Sequence, residues 1–406
     1  MPRLDRRRTR KLLSTALGTV VPANALVLFR NVRDGSRESP WAGYLAATGI
    51  GHRDLIERSL EWLCHSQDRV GSGGVGCYEF GGWTAGYPEV TGYVIPTVWD
   101  CSQLLRREDL AERAVRMADW ELRVQKPGGG FESFYEGDGQ PPVVFNTGQV
   151  LRDLLRTYRE TGRTAYLEAA RRSADWITSN QERDGSWGVT NYGGLTRVYD
   201  TYVAAPLADL GIETGTDDYI RCAERNYEFA LGHQHSNGWF DLCDNTAGGN
   251  DAPVTHTLCY TIDGLLEGAA LLGRPDLAAA AGKAADRLAS LVDPSGRLPA
   301  RFDSSWAPTT SYVCVTGSAQ LGVILMKLYS DTGERRYRDV SARLIDFLAY
   351  VQQLNGVGRA RTGGLPGSYP IWGRYVPLKY PSWPTKYFLD LLVLASRSDR
   401  QPGASG

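Results

Sequence analysis

No stretch of the sequence approaches the ~20 consecutive apolar residues of a membrane-spanning helix, so no span is read from it. Neither sign of charge is in excess. With 45 Lys and Arg against 46 Asp and Glu, the formal net charge is -1, which gives no field favouring nucleic acid as a partner. The seven cysteines, at 64, 77, 101, 222, 243, 259 and 314, form no CxxC pair. An odd, scattered set of this kind indicates neither a disulfide framework nor a zinc site, and no metal is expected. Free, buried thiols in a reducing compartment follow, which places the chain in the cytoplasm. "GSGGVG" at 71–76 leads neither out of a strand nor into a helix, so it is a loop and no dinucleotide cofactor is expected.

Aromatic residues are plentiful: 11 Trp and 21 Tyr. Such residues fill cores or line surfaces that bind flat, partly apolar ligands such as sugar rings. The chain also repeats itself. An aromatic or apolar residue, then Gln five positions on, then a Gly-rich turn, occurs as "WLCHSQDRVGSGGVG", "WELRVQKPGGGF", "WITSNQERDGSWG", "FALGHQHSNGWF" and "FLAYVQQLNGVG", with a degraded copy "LASLVDPSGRLP". The marker positions 67, 125, 181, 234, 293 and 352 lie 53 to 59 residues apart. Before each marker runs a helix with one apolar stripe, as at 163–181. After each turn comes a second helix that is apolar all round, starting near 88, 145, 197, 255, 311 and 383. A striped helix is peripheral and an all-apolar helix is buried. Six such pairs predict an all-α (α/α)6 toroid with short β-hairpin turns at its funnel end; an open solenoid would need polar capping repeats, which are missing. The expected organisation is a basic arm or linker over 1–50, one barrel over 51–398 and a disordered tail over 399–406.

In such a toroid all inner helices point one way, so their N-termini converge on one mouth with their dipoles directed at it. The helix starts carry Tyr87, Glu89, Thr91 and Tyr93; Asn146, Thr147 and Gln149; Arg197, Tyr199 and Asp200; His256, Thr257 and Tyr260; and Trp383 with Lys386. The preceding turns add Trp83, Trp239, Asp241, Asp303, Trp306, Tyr369 and Trp372. Aromatic platforms beside carboxylates, amides and an arginine are the pattern of a carbohydrate cleft. Thr91 and Thr147 are expected to act as helix caps. Arg197 requires an acidic partner, with Asp200 one turn on, or an anionic ligand.

The motifs "YPEVTGYVIPT", "VFNTGQVLRDLLRTY", "DGSWG", "THTLCYTIDGLLEG" and "GGLPGSYPIWGRYVPLKYPSWPTKYFLDLL" together resemble six-hairpin proteins of bacterial exopolysaccharide clusters, across residues 50 to 396. That resemblance implies the toroid and a polysaccharide context. Where that family carries Asp in "FDTGQV", this chain has Asn146, so this position is no catalytic acid here. More distantly the turns are similar to those of terpene cyclases and prenyltransferases, but the cyclase DxDD motif is missing; Asp241, Cys243 and His256 are the loose zinc set that a prenyltransferase reading would need.

A glycan-acting enzyme is therefore expected, with an oligo- or polysaccharide as its partner. Hydrolysis would draw an acid pair from Glu89, Asp200, Asp241 and Asp303. Uronate lyase or epimerase chemistry would use Arg197 as neutraliser and His256, Tyr199 or Tyr260 as base. A non-catalytic glycan-binding protein is the remaining alternative. The opening "RRRTRKLLSTALGTVVPANA" has the outline of a signal peptide, or of a basic amphipathic arm on an anionic membrane surface.

Overall fold

The computed structural model of the protein describes residues 22–34, 43–245 and 250–398. Two helices come first, α1 (Pro22–Asp34) and α2 (Tyr44–Thr48). Outer and inner helices then alternate. They are α3 (His52–Val70) and α4 (Pro88–Leu105), α5 (Glu108–Val124) and α6 (Val144–Thr161), and α7 (Thr164–Ser179) and α8 (Thr201–Thr214). The others are α9 (Asp217–Gly232) and α10 (Thr255–Leu272), α11 (Pro275–Leu291) and α12 (Val315–Thr332), and α13 (Arg335–Asn355) and α14 (Ser382–Ser398). The difference in patterning is visible in what each layer buries. Inner α10 is buried at every position from Thr255 to Leu266. Outer α5 buries Leu110, Ala114, Met117, Ala118 and Glu121, the single stripe of a peripheral helix, together with Trp120.

Each inner helix packs against the next, and α14 packs against both α12 and α4, so the ring closes. Short strands stitch the same seam. β1 (Tyr78–Glu79) pairs antiparallel with β2 (Gly82–Trp83) and with β5 (Lys379–Tyr380), placing Tyr78 opposite Tyr380. β3 (Val313–Cys314) pairs with β4 (Ser368–Tyr369). Two inner helices start later than their sequence pattern indicates. A 3-10 turn over Val198–Asp200 precedes α8, and β3 occupies the place expected for the first residues of α12.

The repeated Gln is a clasp between neighbouring outer helices. Gln125 Nε2 donates to Gly129 O of its own turn at 3.1 Å and to Ala169 O of α7 at 2.9 Å. Gln181 does the same with Gly185 O and Cys222 O, at 3.0 and 2.8 Å. Gln67 and Gln234 bridge in the same way to α5 and α11. Gln352 reaches Gly363 O and Ser59 Oγ of α3, both at 2.8 Å, and so joins the last repeat to the first. In the degraded repeat Asp293 instead accepts from Ser295 N and Arg297 N of its own turn. Replacing Gln125 by Ala should cost about 1–3 kcal/mol, since its amide also bonds Ser173 Oγ and accepts from Arg172, and all of these bonds are lost together; urea unfolding of wild type and variant measures it.

The segment expected as a loose arm is partly docked. Asn24 Nδ2 donates to Phe80 O at 3.1 Å, Asn31 Oδ1 accepts from Ile371 N at 3.1 Å, and Asp34 accepts from the hydroxyls of Tyr350 and Tyr369. These contacts hold α1 against the loops at the funnel end. Residues 1–21 and the expected tail at 399–406 lie outside the described residues.

Candidate functional site

Pro88 opens α4 at its first turn, which sets Glu89 in the ring of inner-helix N-termini. The carboxyl is nearly buried, at 9% exposure. Tyr87 Oη lies 2.7 Å from Glu89 Oε2 and 2.7 Å from Tyr192 Oη. Tyr192 Oη lies 2.9 Å from Asn146 Oδ1, and Asn146 Nδ2 donates to Glu132 O at 2.8 Å. Tyr87 donates to Glu89 and Tyr192 to Asn146, so the carboxyl ends a chain of hydroxyl donors. Burial raises the Glu89 pKa to about 7, against the opposing pull of the bonds from Tyr87 and Tyr192. Glu89 is thus a carboxylic acid poised to give up its proton near neutrality.

His256 lies in the first turn of α10, on the mouth wall. Its Nδ1 is 2.6 Å from Gln320 Oε1 of α12. That acceptor fixes the proton on Nδ1 and leaves Nε2 as the basic nitrogen. Burial lowers the His256 pKa to about 4, with the Gln320 bond opposing, so the ring is neutral where Glu89 is protonated. The His256 ring sits 4.3 Å from that of Tyr260 and 5.6 Å from that of Tyr375. Glu89 acts electrostatically on both of those tyrosines, and both it and His256 stand in the first turn of an inner helix. Trp383 Nε1 donates to Tyr375 Oη at 3.1 Å from the adjoining wall.

A second carboxyl stands behind this pair. Asp200 Oδ2 accepts from Asn191 Nδ2 at 2.8 Å, and Asn191 adjoins Tyr192 of the hydroxyl chain. Burial raises the Asp200 pKa well above the carboxylate range, although Arg197 and the Asn191 bond pull it down. Arg197, expected to find an acidic partner or an anion, is therefore within electrostatic reach of Asp200. Phe145 spans from Tyr199 to Tyr260 with ring distances of 5.3 and 4.9 Å. Tyr93 lies below, 5.9 Å from Tyr387. Gln149 shares the face of α6 that carries Asn146 one turn earlier; both its amide atoms are buried without a protein partner among the described residues.

Several expected site residues sit elsewhere. Trp83 stacks on Trp62 and Tyr78, each at 5.4 Å, beside α3. In the turns of the fourth and fifth repeats, Trp239 and Trp306 are buried in the apolar core formed by the neighbouring inner and outer helices. Asp241 pairs with His235 at 3.0 Å, and Asp303 accepts from Ser305 N and Ala307 N of its own turn. Cys243 contacts Thr261 Oγ1 at 3.3 Å, so Asp241, Cys243 and His256 do not converge as a zinc set would. Tyr369 turns to Asp34, and Trp372 stands exposed on the rim. Lys386 lies beneath the mouth, 2.7 Å from Asp390 and 4.0 Å over the Tyr387 ring. There it lines a cavity of about 320 Å³ at the opposite end of the ring, beside Arg152, Glu267 and Lys327. Those cations are paired with acids and complement the C-terminal ends of the inner helices. Thr91 and Thr147 do structural work, but for the incoming loops: their Oγ1 atoms accept from Val75 N and Phe131 N, each at 3.0 Å. Tyr192 and Tyr375 escaped the sequence reading because they lie in turns, where no helical period marks them.

No family model matches the sequence, and no curated protein matches it in sequence. Solved structures do match in shape. An unsaturated glucuronyl hydrolase of Bacillus sp. GL1, responsible for the degradation of glycosaminoglycan, superposes with a TM-score of 0.66 at 16% identity, over 86% of this chain and 97% of its own. Cellobiose 2-epimerase from Bacillus thermoamylovorans B4167 gives 0.67 at 12% identity, over 85% and 98%. A polysaccharide lyase gives 0.61 at 13% identity, over 87% and 99%. The chain has the (α/α)6 toroid fold of these proteins.

Proposed function

We propose that the protein is a glycan-modifying enzyme, a glycoside hydrolase acting on a bacterial exopolysaccharide or its precursor. The observation that carries this reading is the nearly buried Glu89 carboxyl at the end of a hydrogen-bonded chain of tyrosines, in the same ring of inner-helix starts as the buried His256. Glu89 gives its proton to the leaving oxygen as the glycosidic C–O bond breaks. The oxygen of a water bonds the anomeric carbon, and His256 Nε2 takes the proton that water loses. Arg197 receives the carboxylate of an acidic sugar, and the tyrosine-lined wall receives the sugar faces. The folds of the glucuronyl hydrolases support the reading by analogy.

Acid and base are both in working form between their two pKa values, so kcat/KM should follow a bell with limbs near about 4 and about 7. Replacing Tyr87 by Phe removes a bond that favours the ionised Glu89. The Glu89 pKa then rises and the alkaline limb moves to higher pH; a pH–rate profile of the variant reads the shift.

Mass spectrometry of exopolysaccharide fragments, neutral and uronate-containing, incubated with the protein in heavy water tests the reaction class. Cleavage with one added water is expected. The epimerase and lyase reading draws on the neutral His256 beside Tyr260 and Arg197: cleavage without water would assign a lyase, and deuterium gained at C5 without cleavage an epimerase. Binding without any product would assign a glycan-binding protein.

A further inference from the structure

We propose that the funnel end of the barrel docks on an anionic membrane surface through α1 and the loop rim. Six of the seven large apolar side chains exposed among the described residues gather at this end: Leu26, Phe29 and Val32 on α1, and Phe134, Val189 and Trp372 on the loops. On α1 the spacing of three places Leu26, Phe29 and Val32 along one side, with Phe29 and Val32 at 60% and 65% exposure. The other side is pinned to the barrel through Asn24, Asn31 and Asp34. The helix is therefore held with its apolar stripe outward, an arrangement that marks an interaction surface.

Charge identifies the partner. Arg30 and Arg33 flank the stripe and are exposed, as is Arg374 two residues from Trp372. The sequence leading into α1 adds Arg3, Arg6, Arg7, Arg8, Arg10 and Lys11 against Asp5 alone. The acid of α1, Asp34, is turned inward onto two tyrosines. An apolar stripe edged by arginines fits lipid headgroups of negative charge. A second copy of the same face would set arginine against arginine. No helix among the described residues is long and apolar enough to cross a membrane, so the contact is with the surface. Seated this way, the mouth opens toward the headgroups, and its glycan is one held at the membrane; that last step rests on the glycan reading above.

The test is co-sedimentation of the full chain with vesicles of phosphatidylcholine alone, or with about a third phosphatidylglycerol added. Binding to the anionic vesicles only, weakened by salt, is expected. The double variant F29S/V32S should bind roughly tenfold more weakly or worse, with helix content and Tm unchanged. Equal binding to both vesicles, or none, would overturn the proposal, as would undiminished binding by the double variant. Self-association of wild type that the double variant abolishes would assign the face to a second copy. Vesicle binding is read without turnover, so its failure leaves the hydrolase reading standing, and inactivity on every glycan leaves the docking standing.

Discussion

Replacing Glu89 by Gln lowers kcat by roughly 10²–10⁴-fold while KM changes little, the loss expected when a general acid is removed and its shape retained. The amide can accept from Tyr87 and keeps the volume of the acid, so the fold should survive. Stability supplies an independent readout. The folded-state pKa of Glu89, about 7, is raised from 4.5. Its contribution to stability is complete below pH 4.5 and is lost as pH rises through about 7, where ionisation in a buried site must be tolerated. Glutamine has no charge to bury. The variant should match wild type near pH 5 and exceed it by roughly 2–4 kcal/mol above pH 8. Denaturant unfolding at the two pH values checks this. A variant that is fully active, or no more stable than wild type at high pH, would remove Glu89 from its role.

The second large effect is on folding. Gly129 ends the turn that Gln125 clasps, with φ at +93°, and a Cβ built there would lie 2.1 Å from Arg172 O. Both the conformation and the contact exclude a side chain, because the opposing atom is helix backbone that cannot rotate away. The turn glycines Gly185, Gly296 and Gly363 meet backbone oxygens of the next outer helix at 2.3, 2.2 and 2.0 Å in the same way. Replacing Gly129 by Ala should cost roughly 3–5 kcal/mol or abolish soluble expression. Gly162 at the end of α6 is the control: φ is +69°, but nothing lies within 4 Å of its Cβ position. There Ala should cost about 1 kcal/mol, the conformational part alone. Equal costs at the two sites would mean that the close approach does not hold the repeats together.

That pair of glycines also shows what the sequence makes legible. The Gln–Gly spacing gives six units because it encodes a contact between consecutive repeats, and two layers follow from one-sided against all-round apolar patterning. Helix direction then gathers Glu89, Asn146, Asp200 and His256 at one end. What the pattern cannot carry is the path of the turns. Trp239 and Trp306 precede inner helices and so read as sugar platforms, yet they bury in the apolar core, and Asp241 and Asp303 are engaged within their own turns. Lys386 lies one level too deep, because a single helical turn separates the mouth from the charged cavity below. Conversely, Tyr192 closes the hydroxyl chain from a turn in which no periodicity marks it. Helix starts are fixed by local rules, whereas turn side chains answer to tertiary packing.

The protonation state of Glu89 itself is the most direct measurement. Infrared pH titration of wild type minus the E89Q variant isolates the band of its protonated carboxyl from those of the other buried acids. A band present at pH 5 and lost with a midpoint near about 7 is the predicted result. A midpoint at or below 4.5, the ordinary value for glutamate, would leave an ionised carboxylate in the mouth and contradict its assignment as the acid.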